Sequence, residues 1–342
     1  MNCGGGGRRR CRELCMIRAA YRSNTEREGF RVRDFSGATD PAGEVEELER
    51  NEKVASMRTC VLLTLATLML LCHGIRGWGV DGHLTVCRIA QARLNDAAAD
   101  AVKQLLPDFA EGDLGSVCSW ADRVRFRYHW SVPLHFIDTP DNLCNYQYTR
   151  DCKDENSIKD RCSAGAINNY TSQLLNYNGG SSKSDYNLTE ALLFLSHFIG
   201  DIHQPLHTGF TGDRGGNTID VHWYRRKTEL HHVWDDNIIW TQDNVTYTDV
   251  DGLIKAIQQN ITSEWSDQVS IWETCSGGKT ACPDIYATEG IKAACQWAYK
   301  GVTEDSVLED DYFYSRAPIV NLRLAQGGVR LAATLNRIFG SK

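Results

Sequence analysis

The sequence predicts a mainly α-helical, single-domain multi-helix bundle, tied by disulfides and carrying at most short β segments. Three observations predict it. Apolar residues recur at three- and four-residue intervals through most of the C-terminal three quarters of the chain. Period-two alternation is scarce. The cysteines beyond residue 77 form an even set of eight with no Cys-x-x-Cys spacing, which favours disulfides over thiolate metal sites.

The elements follow in order. Leu84, Cys87, Ile89, Ala90 and Leu94 mark a helix over Gly82–Leu94. Asn95-Asp96 offers an N-cap for a second helix, Ala97–Leu106, which Pro107 follows. Thr189–His203 is apolar on most sides and is therefore expected at the centre of the fold, ending before Pro205. Thr218–Tyr224 is at best a short strand or hairpin arm. Later helices are expected over Leu253–Ser270, Tyr286–Gly301 and Ile319–Phe339, the last with a weak point at Gly327-Gly328. Asn178-Gly179-Gly180-Ser181-Ser182-Lys183 reads as an exposed loop.

The N-terminal part has a different character. Met57-Arg58 precedes the apolar run Cys60–Leu71 and a small Gly77, the anatomy of a signal peptide over 57–77, too short to span a membrane. Residues 1–56 hold a Gly run, an Arg run and mixed charges with little periodicity, and read as disordered or as an upstream start that the functional protein does not use. The Arg-rich start also fits a transit sequence, against which the acidic cluster Glu44-Val45-Glu46-Glu47 argues. One domain over 78–342 is expected after cleavage.

Residues 1–77 hold 13 of the 37 Lys and Arg and 10 of the 44 Asp and Glu, so the remainder carries a net charge near −10. Such a chain has no general attraction for nucleic acid, and a phosphate substrate needs local positive charge, for which bound divalent metals are the natural source. The eight cysteines Cys87, Cys118, Cys144, Cys152, Cys162, Cys275, Cys282 and Cys295, with sequons at Asn169, Asn187, Asn244 and Asn260, place the expected protein in the secretory pathway, extracellular or vacuolar.

His197 and Asp201 are four residues apart on the central helix, so both project from one face. A single such pair is as readily a hydrogen bond inside a core. His231 and Asp235 repeat the spacing, however, and His207 lies just beyond Pro205, so a metal site is expected. His135, His83 and Asp122 add donors, and cleavage before Trp78 would expose an amine five residues from His83. Imidazole and carboxylate without sulfur suit zinc, leaving manganese and iron open. His129, His203, His222 and His232 read as structural or surface histidines.

Six ordered motifs sharpen this reading: Trp78-Gly79-x-x-Gly82-His83, Trp120-Ala121-Asp122, Pro133-Leu134-His135-Phe136-Ile137-Asp138, Ser196-His197-Phe198-x-Gly200-Asp201-Ile202-His203-Gln204-Pro205-Leu206-His207, Gly215-Gly216-Asn217, and His231-His232-Val233-Trp234-Asp235. With these the chain resembles the plant endonuclease (bifunctional nuclease) family, relatives of the fungal single-strand-preferring zinc nucleases, over essentially all of Trp78–Lys342.

The resemblance implies the helical fold of the zinc-dependent nuclease and phospholipase C type, acting as a monomer without a membrane span. It implies three Zn2+: one held by Asp122, His135, His197 and Asp201, a second by the amine and carbonyl of Trp78 with His83 and the shared Asp201, and a third by His207, His231 and Asp235. It implies hydrolysis of single-stranded DNA and RNA to 5′-phosphorylated products and cleavage of 3′-nucleotides. Asp122 is expected to orient the attacking water and Arg125 to meet transition-state charge. Phe136 would stack a base whose edge Asp138 and the Gly215-Gly216-Asn217 turn hydrogen-bond. The disulfides implied are Cys87–Cys118, Cys144–Cys295, Cys152–Cys162 and Cys275–Cys282, the last two favoured also by their short loops. Three alternatives stand: a zinc-dependent phospholipase C-like phosphodiesterase, a non-catalytic secreted zinc-binding protein, and a 3′-nucleotidase with little polymer cleavage.

Overall fold

Helix α1 (Val80–Gln91) begins two residues after Trp78 and packs Val86, Ile89 and Ala90 inward. The computed structural model describes residues 77–179 and 184–340. Residues 1–56, the leader before Gly77, and Gly180–Lys183 of the expected loop lie outside the described residues. Asn95 is the expected cap: its side chain accepts from Ala98 N, and α2 follows over Asp96–Leu105.

Helix α3 (Ser163–Leu174) is absent from the sequence reading, because its buried face is built from Ser163, Ala164, Gly165 and Ala166 as well as Ile167 and Leu174, which blurs the apolar period. Helix α4 (Leu188–Asp201) starts at the Asn187 cap, and every residue from Ala191 to Asp201 is buried, as its nearly continuous apolar surface requires. Tyr170 of α3 stacks on Phe194 of α4 with ring centroids 5.0 Å apart.

Strand β1 (Asp220–Trp223) lies within the expected stretch, pairs antiparallel with β2 (Arg226–Glu229), and has β3 (Ser306–Leu308) parallel on its other side. Before β3, the expected helix over Leu253–Ser270 is two: α5 (Val250–Thr262) and a short Val269–Glu273 turn. Thr262 and Ser263 hydroxyls both donate to Gln259 O, closing the first helix, and Ser263 leaves helical dihedrals. Helix α6 spans Pro283–Ala293 and passes into a π turn at Ala294–Ala298.

The last helix, α7 (Asp310–Phe339), starts earlier than expected and runs unbroken through Gly327-Gly328. Those glycines mark a close helix crossing instead of a weak point: they lie against Val86 and Ile89 of α1, and a Cβ on Gly328 would stand 2.4 Å from Ile89 Cγ2. Disulfides join Cys87 to Cys118, Cys144 to Cys295, Cys152 to Cys162 and Cys275 to Cys282, the four pairs the resemblance implies. No described helix is long and apolar enough to cross a membrane.

Candidate metal centre and substrate cleft

Three donor groups gather around the C-terminal half of α4. His83, Asp122 and His197 form one, His135, His197 and Asp201 a second, and His207, His231 and Asp235 a third. Helical spacing supplies two of the pairs directly. His197 Nε2 lies 3.1 Å from Asp201 Oδ2, and His231 Nε2 lies 3.3 Å from Asp235 Oδ2. The second pair sits where α-helix passes into the π turn Val233–Asn237, a local irregularity common at functional sites.

The fold sets the protonation of three imidazoles. Nδ1 of His197 faces Cys118 O at 2.8 Å, that of His207 faces His135 O at 2.6 Å, and that of His231 faces Gly215 O at 2.6 Å. A carbonyl accepts only, so each Nδ1 carries a proton and each Nε2 is turned into the cluster, where a bound metal ion would take its lone pair in place of any second proton. His135 instead presents Nδ1, 3.0 Å from Asp201 Oδ2.

Burial and charge make these groups demand a cation. His83 Nε2 and Asp201 Oδ1 lie 3.3 Å apart, both buried, and the geometry gives neither a hydrogen bond; Asp122 Oδ1 is orphaned in the same way. Orphaned donor atoms converging on one space fit bound metal ions. Burial and the neighbouring Asp236 push the Asp235 carboxyl well up. Burial opposes charge on His197, but the carboxylates of Asp201 and Asp122 outweigh it and raise that imidazole to about 9. Burial lowers His83 and His135.

Trp78 is fully buried, and Gly79 N donates to Asp235 O at 3.0 Å, which fixes this segment against the third donor group. Gly77 reaches the centre itself: a Cβ there would stand 1.6 Å from Asp201 Oδ1 and 2.9 Å from His83 Nε2. The nitrogen of Trp78 is thus beside the donors, as an amide while Gly77 precedes it.

Two further groups hold the turn between Asp201 and His207. Gln204, fully buried, donates to Asp235 Oδ1 at 2.6 Å and accepts from Leu206 N at 2.5 Å. His203 faces Ile199 O through Nδ1 and receives Arg330 on Nε2, while Arg323 donates to His203 O at 3.0 Å. Glu289 pairs with both arginines, at 2.9 Å and 2.6 Å. Burial and these two cations hold His203 well below the ordinary imidazole range, so it is neutral and structural.

The third donor group reaches a cleft of about 630 Å3 through His231, and Phe136, Asp138, Leu206, Arg214 and Gly215 line it in part. Its inner wall is a short parallel pairing: Ile137 N donates to His207 O and Thr139 N to Gly209 O. The two-residue alternation buries Ile137 and Thr139 and turns Phe136 and Asp138 to the cleft. Burial raises the Asp138 carboxyl, with Arg214 opposing.

Gly215 has φ +64, and a Cβ on it would meet Leu206 O at 2.4 Å. Asn217 is not among the cleft-lining residues; its amide donates to Arg214 O at 2.7 Å, holding the turn. Arg125 Nη1 is 3.7 Å from Asp122 Oδ1, one helical turn away, and its side chain is only 16% exposed, so it is no solvated surface cation. Asn169, Asn187 and Asn244 are exposed, and Asn260 is half-buried.

Sequence reading missed Gln204, Arg214 and Trp130. Gln204 sits inside the motif block and carries no charge to mark it; only its contact with Asp235 reveals its place.

A helical fold that gathers imidazoles and carboxylates into groups able to hold metal ions, one of them reaching a cleft through His231, fits the class of metal-dependent hydrolases. The S1/P1 nuclease family model matches residues 78–340, and the chain belongs to that family. It is 65% identical to Endonuclease 2 of Arabidopsis thaliana over 82% of this chain and 97% of that one. Endonuclease 4 of the same plant is 55% identical over 80% of this chain and 93% of its own. Nuclease S1 of Aspergillus oryzae is 33% identical over 80% and 96%. The protein is a hydrolytic endonuclease with a preference for single strands.

Proposed function

We propose that the protein is a zinc-dependent nuclease that cuts single-stranded DNA and RNA to 5′-phosphorylated products and also removes phosphate from 3′-nucleotides. The observation that carries this is a set of three His/Asp donor groups, the third of which reaches through His231 into a cleft that also displays Phe136 and Asp138. The residues that would hold three zinc ions are Asp122, His135, His197 and Asp201; Trp78, His83 and Asp201; and His207, His231 and Asp235. Zinc in such cages acidifies water and draws charge from phosphate oxygens near neutral pH.

The chain's own groups do the rest. Asp122 orients the attacking water, and Arg125 donates to the phosphate oxygens as negative charge builds on them. Water adds to phosphorus as the bond to the 3′-oxygen breaks, leaving a 5′-phosphate on one fragment and a 3′-hydroxyl on the other, or free phosphate from a 3′-nucleotide. Phe136 stacks the base, and Asp138 reads its edge beside the Gly215 turn that Asn217 holds in place. A duplex hides base faces, which accounts for the single-strand preference.

The same reading makes the mature enzyme a monomer that begins at Trp78, delivered through the secretory pathway and glycosylated at its sequons. Incubation of the secreted protein with denatured and native DNA, followed by analysis of product ends, tests the function. Faster cutting of denatured DNA to 5′-phosphates is expected; 3′-phosphorylated ends would overturn the proposed bond cleavage.

A further inference from the structure

The cleft has a second wall that neither the metal donors nor the Phe136 pocket uses. Trp130 stands on it with 46% of its surface exposed, the largest aromatic to line the cleft. One face of the indole is supported: its ring lies on Tyr128, centroids 5.6 Å apart and planes 24° from parallel, and it leans on buried Phe194 at 5.6 Å. Tyr128 is fixed in turn by a hydrogen bond from its hydroxyl to Glu190.

The backbone of Trp130 is pinned as well. Arg161 Nη2 donates to Trp130 O at 2.7 Å, and Arg161 Nε is 2.7 Å from Asp154 Oδ2. Both residues lie in the segment closed by the Cys152–Cys162 disulfide, so a covalent ring buttresses the wall. An exposed tryptophan held this firmly is a preformed platform, and stacking on it costs little side-chain freedom.

The chemistry of the wall selects what stacks. Its cation, Arg161, is committed to Asp154 and to Trp130 O, and Glu155 and Asn156 line the cleft beside it. A phosphate would meet carboxylates there. A nucleobase, neutral and bearing ring and amino donors on its edge, would meet an aromatic face with acceptors at its rim.

Distance decides the form of the strand. Trp130 lies near the start of the 3-10 turn His129–His135, and Phe136 directly follows its end. Six residues at ~2.0 Å rise set their backbones roughly 12 Å apart, several times the ~3.4 Å between stacked neighbours in a helix. With backbones this far apart, Trp130 and Phe136 offer separate platforms to bases that are unstacked from each other.

We infer that Trp130 is a second base-stacking site, taking another base of the same single strand whose first base lies on Phe136. The inference rests on the nuclease reading and deepens it: Phe136 serves any nucleotide substrate, whereas Trp130 serves only a polymer. It makes Trp130 a determinant of preference for strands over mononucleotides.

The test compares hexathymidylate with thymidine 3′-monophosphate on the processed, metal-loaded protein carrying Trp130→Ala or Trp130→Phe. Loss of one stacked base is expected to raise KM for hexathymidylate between roughly 5- and 150-fold, with a much smaller change for the mononucleotide, and Trp130→Phe should restore most of the loss. Equal losses on both substrates, or no loss on hexathymidylate, would overturn the inference. Equilibrium binding of a phosphorothioate hexathymidylate gives the same comparison without turnover, so a wild type that cuts nothing refutes the nuclease reading while binding still judges Trp130.

Discussion

His83 Nε2 and Asp201 Oδ1 lie 3.3 Å apart, fully buried, and neither has a hydrogen bond. The other oxygen of Asp201 faces both His135 and His197. One carboxylate therefore joins two donor groups, which makes it the most sensitive position in the centre. Asp201→Asn is expected to lower kcat by more than ~100-fold, beyond the ~10–100-fold range seen for outer partners of metal ligands. It should also release metal from both groups, read by elemental analysis of the purified variant.

The proximity of Gly77 to the same carboxylate gives a second prediction. A Cβ at residue 77 collides with Asp201 Oδ1, and the nitrogen of Trp78 is an amide until the preceding peptide is cut. A protein retaining one alanine before Trp78 is expected to bind less zinc and to lose most activity, while the chain beginning at Trp78 binds fully. Equal zinc content in the two would remove the N-terminal amine from the ligand set.

Gly215 combines a left-handed φ of +64 with a carbonyl that receives the His231 ring. Gly215→Ala forces a Cβ toward Leu206 O and is expected to cost about 1–3 kcal/mol of stability from backbone strain. Because the displaced carbonyl also orients His231, metal affinity should fall alongside. Chemical denaturation and zinc titration of the variant check the two effects separately.

Acid should loosen the turn between Asp201 and His207 through two groups that act in the same direction. Burial works against the charged form of Glu289, but Arg330 and Arg323 outweigh it and hold the carboxyl below its ordinary 4.5, so its stabilisation is complete above that value and is lost as pH falls through the lowered one. His203 is held well below 6.5, so the unfolded chain takes up a proton first and stability declines as pH falls below about 6.5. Glu289→Gln leaves two buried cations without their carboxylate and should destabilise by less than the roughly 3–5 kcal/mol of a fully buried pair, since Glu289 is 35% exposed and solvent screens it, with a flatter stability profile below pH ~4.5. Denaturant titrations between neutral pH and pH 3 measure both; an unchanged acid limb would contradict the role given to Glu289.

Much of the centre is legible in the chain because helical geometry writes it locally: His197 with Asp201 and His231 with Asp235 need only a four-residue spacing to meet. The nearly all-apolar segment that became α4 likewise announced its central place. What stayed hidden depends on long-range contact. Gly327-Gly328 reads as a helix breaker until α1 is seen crossing there, and α3 buries small residues that carry little apolar signal. Asn217 looks like a base reader within its motif, yet its amide is engaged with Arg214 O. Trp130 is one aromatic among many in the sequence, and only Tyr128 beneath it and the cleft beside it set it apart.

The most direct test of the metal-centred account is to strip the processed protein with chelator and restore zinc stepwise, following cleavage of denatured DNA against bound metal per chain. The account predicts that activity vanishes with the metal and returns fully only as three zinc ions bind. Undiminished cleavage by protein verified to be free of metal would contradict it.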